Sequence, residues 1–217
     1  MKNPVFYCFA FLLSFTFAFA QEEPCGTFDQ GEMEFAGVSK IQGQKGEKAY
    51  FYKNSDTCPE AGASCKQKAY LISGDYVMVT SPTDYWGCVR YVSATGVQTT
   101  GWIKGKYLNY NNFTHATLAQ WAGKWTDASG DYRVEITKAG NKLNVSGFGL
   151  YRTAGGSANT GEFEAAGVPN DDQILVVRQG ECKVSMALLG DRIYVAATSE
   201  CGGMNVNFDG TYKKAWK

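Results

Sequence analysis

The chain has 217 residues, with 21 Lys and Arg against 21 Asp and Glu. That balance excludes the basic field that would hold nucleic acid or an anionic lipid surface. With 25 glycines, 13 tyrosines and 13 phenylalanines and no long helical periodicity, the composition is that of an all-β protein.

Lys2, the apolar run Val5 to Phe19 and the small-x-small triplet Ala18-Phe19-Ala20 read as a cleaved secretion signal over 1–20. The run is shorter than the roughly 20 residues a membrane span needs, and Gln21-Glu22-Glu23-Pro24 ends it. Export without membrane insertion is therefore expected, into the periplasm or beyond. Cys8 leaves with the signal and six cysteines remain: Cys25, Cys58, Cys65, Cys88, Cys182 and Cys201. An even number in an exported chain implies disulfides. Position pairs Cys58 with Cys65 around the loop CPEAGASC, and Cys182 with Cys201, which stand alone in the last third. Cys25 is left for Cys88. On the loop-entropy model these bridges contribute about 2.5, 3.3 and 4.3 kcal/mol respectively. No C-x-x-C spacing supports a redox or zinc role.

Residues 21–47 form a lead-in with turn signals at Gly26, Gly31, Gly37, Gly43 and Gly46. From Lys48 short strands follow. KAYFYK alternates aromatic and polar residues over 48–53. After the cysteine loop, KAYLISGDYVMVT gives two strands about a Gly74-Asp75 turn. Trp86 to Val92 and Gln98 to Ile103 then form a hairpin. Ala49-Tyr50, Tyr70-Leu71-Ile72 before Gly74-Asp75-Tyr76-Val77, Val89-Arg90-Tyr91, and Gly101-Trp102-Ile103 before Leu108 together resemble the bacterial SH3-like domains of exported envelope proteins. That resemblance spans about sixty residues within a first domain set at 21–110. The cysteine loop at 58–65 departs from the usual pattern.

Residues 111–120 read as a linker. It contains His115, the single histidine of the chain, taken as a solvated residue. A second domain spans 121–217. Eight strands are expected there, at 121–126, 131–138, 142–149, 160–166, 173–178, 181–188, 192–198 and 204–213. Their period-2 alternation and short turns predict an eight-stranded antiparallel up-and-down β-barrel. Gly123-Lys124-Trp125 resembles the glycine-x-tryptophan start of lipocalin- and avidin-like barrels, which implies a tryptophan plugging one barrel end. The ending Cys201-Gly202-Gly203-Met204-Asn205-Val206, with Phe208, Gly210 and Tyr212, resembles the close of small exported bacterial domains. It is expected as the last strand, with Met204, Val206 and Phe208 on one face and Asn205, Asn207 and Asp209 on the other.

Chemistry is sparse. A hydrolase triad lacks a placed histidine, and Asn205, Asn207 and Asp209 on a rigid strand are poorly spaced to wrap a cation. Glu162 and Glu164 share a strand face, and Asp171-Asp172 lie in a turn. These acids leave a glycosidase as a minor alternative. No enzyme activity, metal or cofactor is expected. The aromatics carry more information. Tyr52, Tyr85, Trp86, Tyr91, Trp102 and Tyr107 are candidate partner-binding residues, because sixty residues cannot bury them all. The expected function is a non-catalytic periplasmic binding protein, an inhibitor or immunity protein against a peptidoglycan-degrading enzyme (a lysozyme, for example) or toxin. Two alternatives remain: a peptidoglycan- or peptide-binding targeting module of the cell envelope, and a carrier of an apolar ligand in the second barrel.

Overall fold

The computed structural model describes residues 25, 37–55, 57–83, 85–93, 95–109, 116–170 and 173–215. The signal segment, His115 and Asp171-Asp172 lie outside them. The described chain is all-β, with a six-stranded antiparallel sheet followed by an eight-stranded antiparallel near-barrel.

The first sheet uses β1 (Gly37–Lys40), β2 (Lys48–Tyr52), β3 (Lys66–Ile72), β4 (Tyr76–Pro82), β5 (Trp86–Val92) and β6 (Gln98–Lys104). Their order is β1-β4-β5-β6-β2-β3. Strand β1 lies inside what the sequence offers only as a lead-in. Alternation sorts the side chains by face. Ala49, Phe51, Leu71, Val77, Val79, Val89 and Ile103 turn inward and pack with Ile41 and Leu108. The intervening residues form an outer face, which becomes the functional question.

The second unit begins with a single helical turn, α1 (Leu118–Trp121), and not with the expected strand at 121. Its strands are β7 (Gly123–Thr126), β8 (Tyr132–Ala139), β9 (Lys142–Arg152), β10 (Ala158–Gly167), β11 (Ile174–Gln179), β12 (Cys182–Leu189), β13 (Arg192–Ala197) and β14 (Gly210–Lys214). The order is β10-β9-β8-β7-β14-β13-β12-β11. The meander is as expected, and the last strand does pair with the first, Lys213 opposite Thr126. The break falls in the middle of the sequence, between β10 and β11. There the Glu164 N–H donates to the Gln179 side-chain oxygen at 3.0 Å, a side chain standing in for a ladder carbonyl. The expected eight-stranded up-and-down barrel is thus present, nearly closed and open at this seam.

Both ends of this unit are filled. Trp121 and Trp125 are fully buried, and the Trp125 indole donates to the Trp121 carbonyl at 3.0 Å. At the opposite end residues 201–209 fold across as an irregular plug, correcting the expected strand at 204–213. Only 210–214 is extended into the sheet. Met204 is 77% exposed, while Val206 and Phe208 are buried. Phe208 meets Phe163 edge-on at 4.9 Å between ring centroids. Asn205 has φ of 62°, so the two-faced alternation expected of 204–209 cannot hold. A Cβ on Gly203 would stand 2.4 Å from the Thr160 carbonyl oxygen, so only glycine lets the plug cross β10 this closely. Asp209 accepts the Ala197 N–H at 2.7 Å and binds Asn207, which makes this pair a local clasp on β13.

All three expected disulfides are present: Cys25–Cys88, Cys58–Cys65 and Cys182–Cys201. The two units also share a core. Val38, Met78 and Val92 on the outer face of the first sheet pack with Ile174, Ala187, Leu189, Tyr194 and Ala196 on the outside of the near-barrel. Two reciprocal hydrogen bonds frame this contact, from Arg90 to the Tyr194 hydroxyl at 3.0 Å and from Arg192 to the Val92 carbonyl at 3.2 Å.

Replacing Cys182 and Cys201 together by alanine frees a plug closed over a separation of 19 residues. Chemical denaturation is expected to show a loss of about 3 kcal/mol. Ala187→Asp places a carboxylate in the shared core, at a cost of several kcal/mol unless the units part. Calorimetry is expected to resolve two transitions in place of one, and small-angle scattering to show a larger radius of gyration.

Candidate functional site

The outer face of the first sheet is divided along its strands. On β5 the residues Trp86, Cys88, Arg90 and Val92 alternate outward. Val92 enters the shared core, whereas Trp86 lies at the far end. Register then assembles the half that lies outside the shared core. Trp86 stands opposite Lys104, and Cys88 opposite Trp102, which in turn stands opposite Tyr52. Tyr50 lies two residues from Tyr52 and is paired with Tyr70 on the edge strand β3.

Five rings thus line one face, and lysines are laid over four of them. Tyr52 meets Trp86 at 4.7 Å between centroids, and Tyr50 meets Tyr70 at 5.7 Å. Lys66 Nζ stands 3.5 Å from the Tyr50 centroid and Lys48 Nζ 4.1 Å from that of Tyr70. Lys104 Nζ lies 5.9 Å from Tyr52 and 6.0 Å from Trp86. Cation–π attraction of this kind holds flexible lysine stems in place and keeps the ammonium groups at the surface.

The cysteine loop borders the same corner. The Trp102 indole donates to Asn54 at 3.4 Å, and the Asn54 amide donates to the carbonyl of Cys25, which is disulfide-bonded to Cys88. The Lys53 N–H donates to the Cys65 carbonyl at 2.8 Å and ties the loop to the end of β2. Beside Trp86, the turn from β4 to β5 presents Tyr85 at 80% exposure. This turn is clamped. Thr83 N–H and Oγ1 both donate to the Trp86 carbonyl, at 2.7 and 2.8 Å, and the Gly105 N–H holds the Tyr85 carbonyl at 2.7 Å.

Of the six aromatics expected to bind a partner, the structure brings Tyr52, Trp86 and Trp102 onto one face with Tyr85 at its rim. Tyr91 and Tyr107 are elsewhere. Tyr91 turns to the inner face and borders a cleft of about 230 Å³ where the two units meet, with Asp75, Gly190 and Arg192. Burial and the Asp75 carboxylate raise the Tyr91 hydroxyl above its usual range, with Arg192 pulling the other way. The Tyr107 hydroxyl donates to Glu47 at 3.0 Å, and Lys106 joins the same oxygen at 2.9 Å. Sequence reasoning counts Tyr50 among the aromatics too many for the core without choosing it as a site residue, and it did not select Tyr70, Lys48, Lys66 and Lys104. Tyr50 and Tyr52 at i, i+2 carried a signal; the cross-strand lysines carried none, because their partners depend on register.

The carboxylates Glu162 and Glu164 lie on the outside of β10, exposed to solvent. They line a groove of about 430 Å³ with Glu135, Arg133, Phe148 and Gln179 beside the β10–β11 seam. Arg133 covers the Phe148 ring at 4.2 Å, and Lys124 pairs with Glu135 at 3.7 Å. Among the described residues no group of three His, Cys, Asp or Glu is placed to hold a metal ion. Comparison of the chain with protein-family models, curated proteins and solved structures finds no match.

Glu47 fastens the turn at 105–107 to the loop before β2. Hydrogen bonds from Lys106, the Gln44 N–H and Tyr107 pull its carboxyl from 4.5 down to about 2. Because the folded carboxyl is the more acidic, this fastening is fully present above pH 4.5 and is lost as pH falls through 2. A carbon-detected NMR titration is expected to place the Glu47 midpoint near 2. Lys106→Gln is expected to move it up towards the ordinary value.

Proposed function

We propose that this chain is a non-catalytic extracytoplasmic binding protein that seats a protein partner on the aromatic corner of its first sheet. The partner is a peptidoglycan-degrading enzyme or toxin, and the chain acts as its inhibitor or immunity protein. The observation that carries this reading is Tyr85. Tyr85 is 80% exposed, and the four hydrogen bonds at Thr83, Tyr85 and Trp86 fix the backbone that presents it, so docking need order only its side chain. Trp86 and Trp102, both partly exposed, stand beside it over the buried Tyr52, and aromatic anchors on a rigid frame are the usual centres of binding energy. Two disulfides brace the same corner, consistent with an oxidising compartment. Among the described residues no helix is long and apolar enough to cross a membrane. The SH3-like character of 48–110 and the lipocalin- or avidin-like start at Gly123-Lys124-Trp125 accord with a pair of recognition modules.

The lysines along the same face favour a second reading, in which the chain targets peptidoglycan or a peptide of the envelope through carboxylates. Co-sedimentation with purified sacculi separates the two readings.

The mature chain is expected to inhibit one member of a panel of lysozymes, amidases and wall-directed toxins. Tyr85→Ala and Trp86→Ala are each expected to weaken that inhibition about tenfold or more, and Tyr85→Ala should leave the melting temperature unchanged. A panel with no inhibited member removes this reading.

A further inference from the structure

We infer that the lysine–aromatic face recognises a carboxylate-rich protein surface, so that the partner's contact area is acidic. This rests on the binding role proposed for that face and specifies its chemistry.

The charge of the chain is not evenly spread. Residues 37–109 hold nine Lys and Arg against five Asp and Glu, residues 110–217 hold eleven of each, and residues 21–36 hold five acids and no base. The strands of the first sheet are thus locally basic, and the acids of the segment before them balance the count. The sheet's lysines are also aligned. Lys48, Lys66 and Lys104 lie over the rings of one face, and among the described residues none of the three makes an ion pair. The ion pair of this sheet, Lys106 with Glu47, lies apart from that row. An ammonium seated on a ring keeps its outward N–H donors for an anion.

The same seating argues against a sugar as the occupant. Stacking a pyranose needs an open ring face, and here Lys66 and Lys48 already occupy the faces of Tyr50 and Tyr70. On that edge what remains outward is ammonium groups and ring edges, whereas Trp102 and Tyr85 carry no lysine among the described residues. Tyr70 and Ile72 on the edge strand add apolar surface, 46% and 51% exposed. Carboxylates interspersed with apolar side chains, as on an acidic protein surface, complement both features.

The test uses the full mature chain and a fluorescent oligo-glutamate peptide, with oligo-lysine as control. Binding of the glutamate peptide alone is expected, about tenfold weaker at physiological than at low ionic strength. Lys66→Gln and Lys104→Gln are each expected to weaken it about threefold, with Lys66→Arg retaining affinity and all three melting as the parent does. No binding at low salt, or affinity unchanged in both glutamine variants, overturns the proposal. So does a mass that rises with concentration and is lost in Lys104→Gln, which assigns the face to the acidic groove of a second copy. An inhibited hydrolase that is insensitive to the lysine variants would overturn this inference and leave the proposed function standing. Peptide binding without any inhibited enzyme would do the reverse.

Discussion

Strand β12 has no solvent face, and the arrangement of the molecule depends on that. Val184, Met186 and Leu188 fill the near-barrel, while Ala187 and Leu189 on the other side receive the first sheet. A strand buried on both faces cannot be half-wetted without loss of hydrophobic stabilisation, so it constrains both units at once. The contact is apolar at its centre and framed by Arg90 and Arg192, each reaching a group of the other unit. Inter-domain contacts that are polar throughout permit relative motion; an apolar core of this kind opposes it.

The same contact decides which part of the first sheet's outer face lies outside the shared core. The outer face of the first sheet is continuous along β5, and the near-barrel covers only the half that contains Val92. The other half holds Cys88, buried beneath its disulfide to Cys25, with the partly exposed Trp86 and Trp102 beside it. The site is thus the remainder of an interface, which explains its aromatic character in a region that would otherwise be polar. Its lysines follow from the same logic. An aromatic row beside an edge strand is a site of unwanted association, and charges laid over it oppose self-pairing.

Much of the architecture was legible as alternation. Ala49/Phe51 against Tyr50/Tyr52, and Tyr132, Val134 and Ile136 on one strand, give period 2 directly, and the cysteine positions gave all three disulfides. The shared core was also written in the sequence, though as a failure of alternation. VSMALL over 184–189 and YVAA over 194–197 are nearly continuous apolar runs, the signature of two-sided burial. The misread ending has a different cause. NVNFD alternates like a strand, yet Val206 and Phe208 turn inward to cap the barrel end, and periodicity does not distinguish a plug from a strand. What separates them is the close approach of Gly203 to Thr160, a contact between residues distant in sequence.

For the site the limit of the sequence is register. Tyr52, Trp86 and Trp102 are legible one by one as aromatics too many for a small core. Their meeting requires Trp102 to face both Cys88 and Tyr52, and a shift of one residue in either pairing would send Trp102 inward and Ile103 out. The disulfide from Cys25 to Cys88 and the loop closed by Cys58 and Cys65 lie where such a slip would begin, next to the irregular pairing between Tyr50 and Tyr52. Two covalent ties at one corner of a small sheet do more than stabilise it. They hold the rings and the Tyr85 turn in one register, and a face built from cross-strand neighbours exists only in that register.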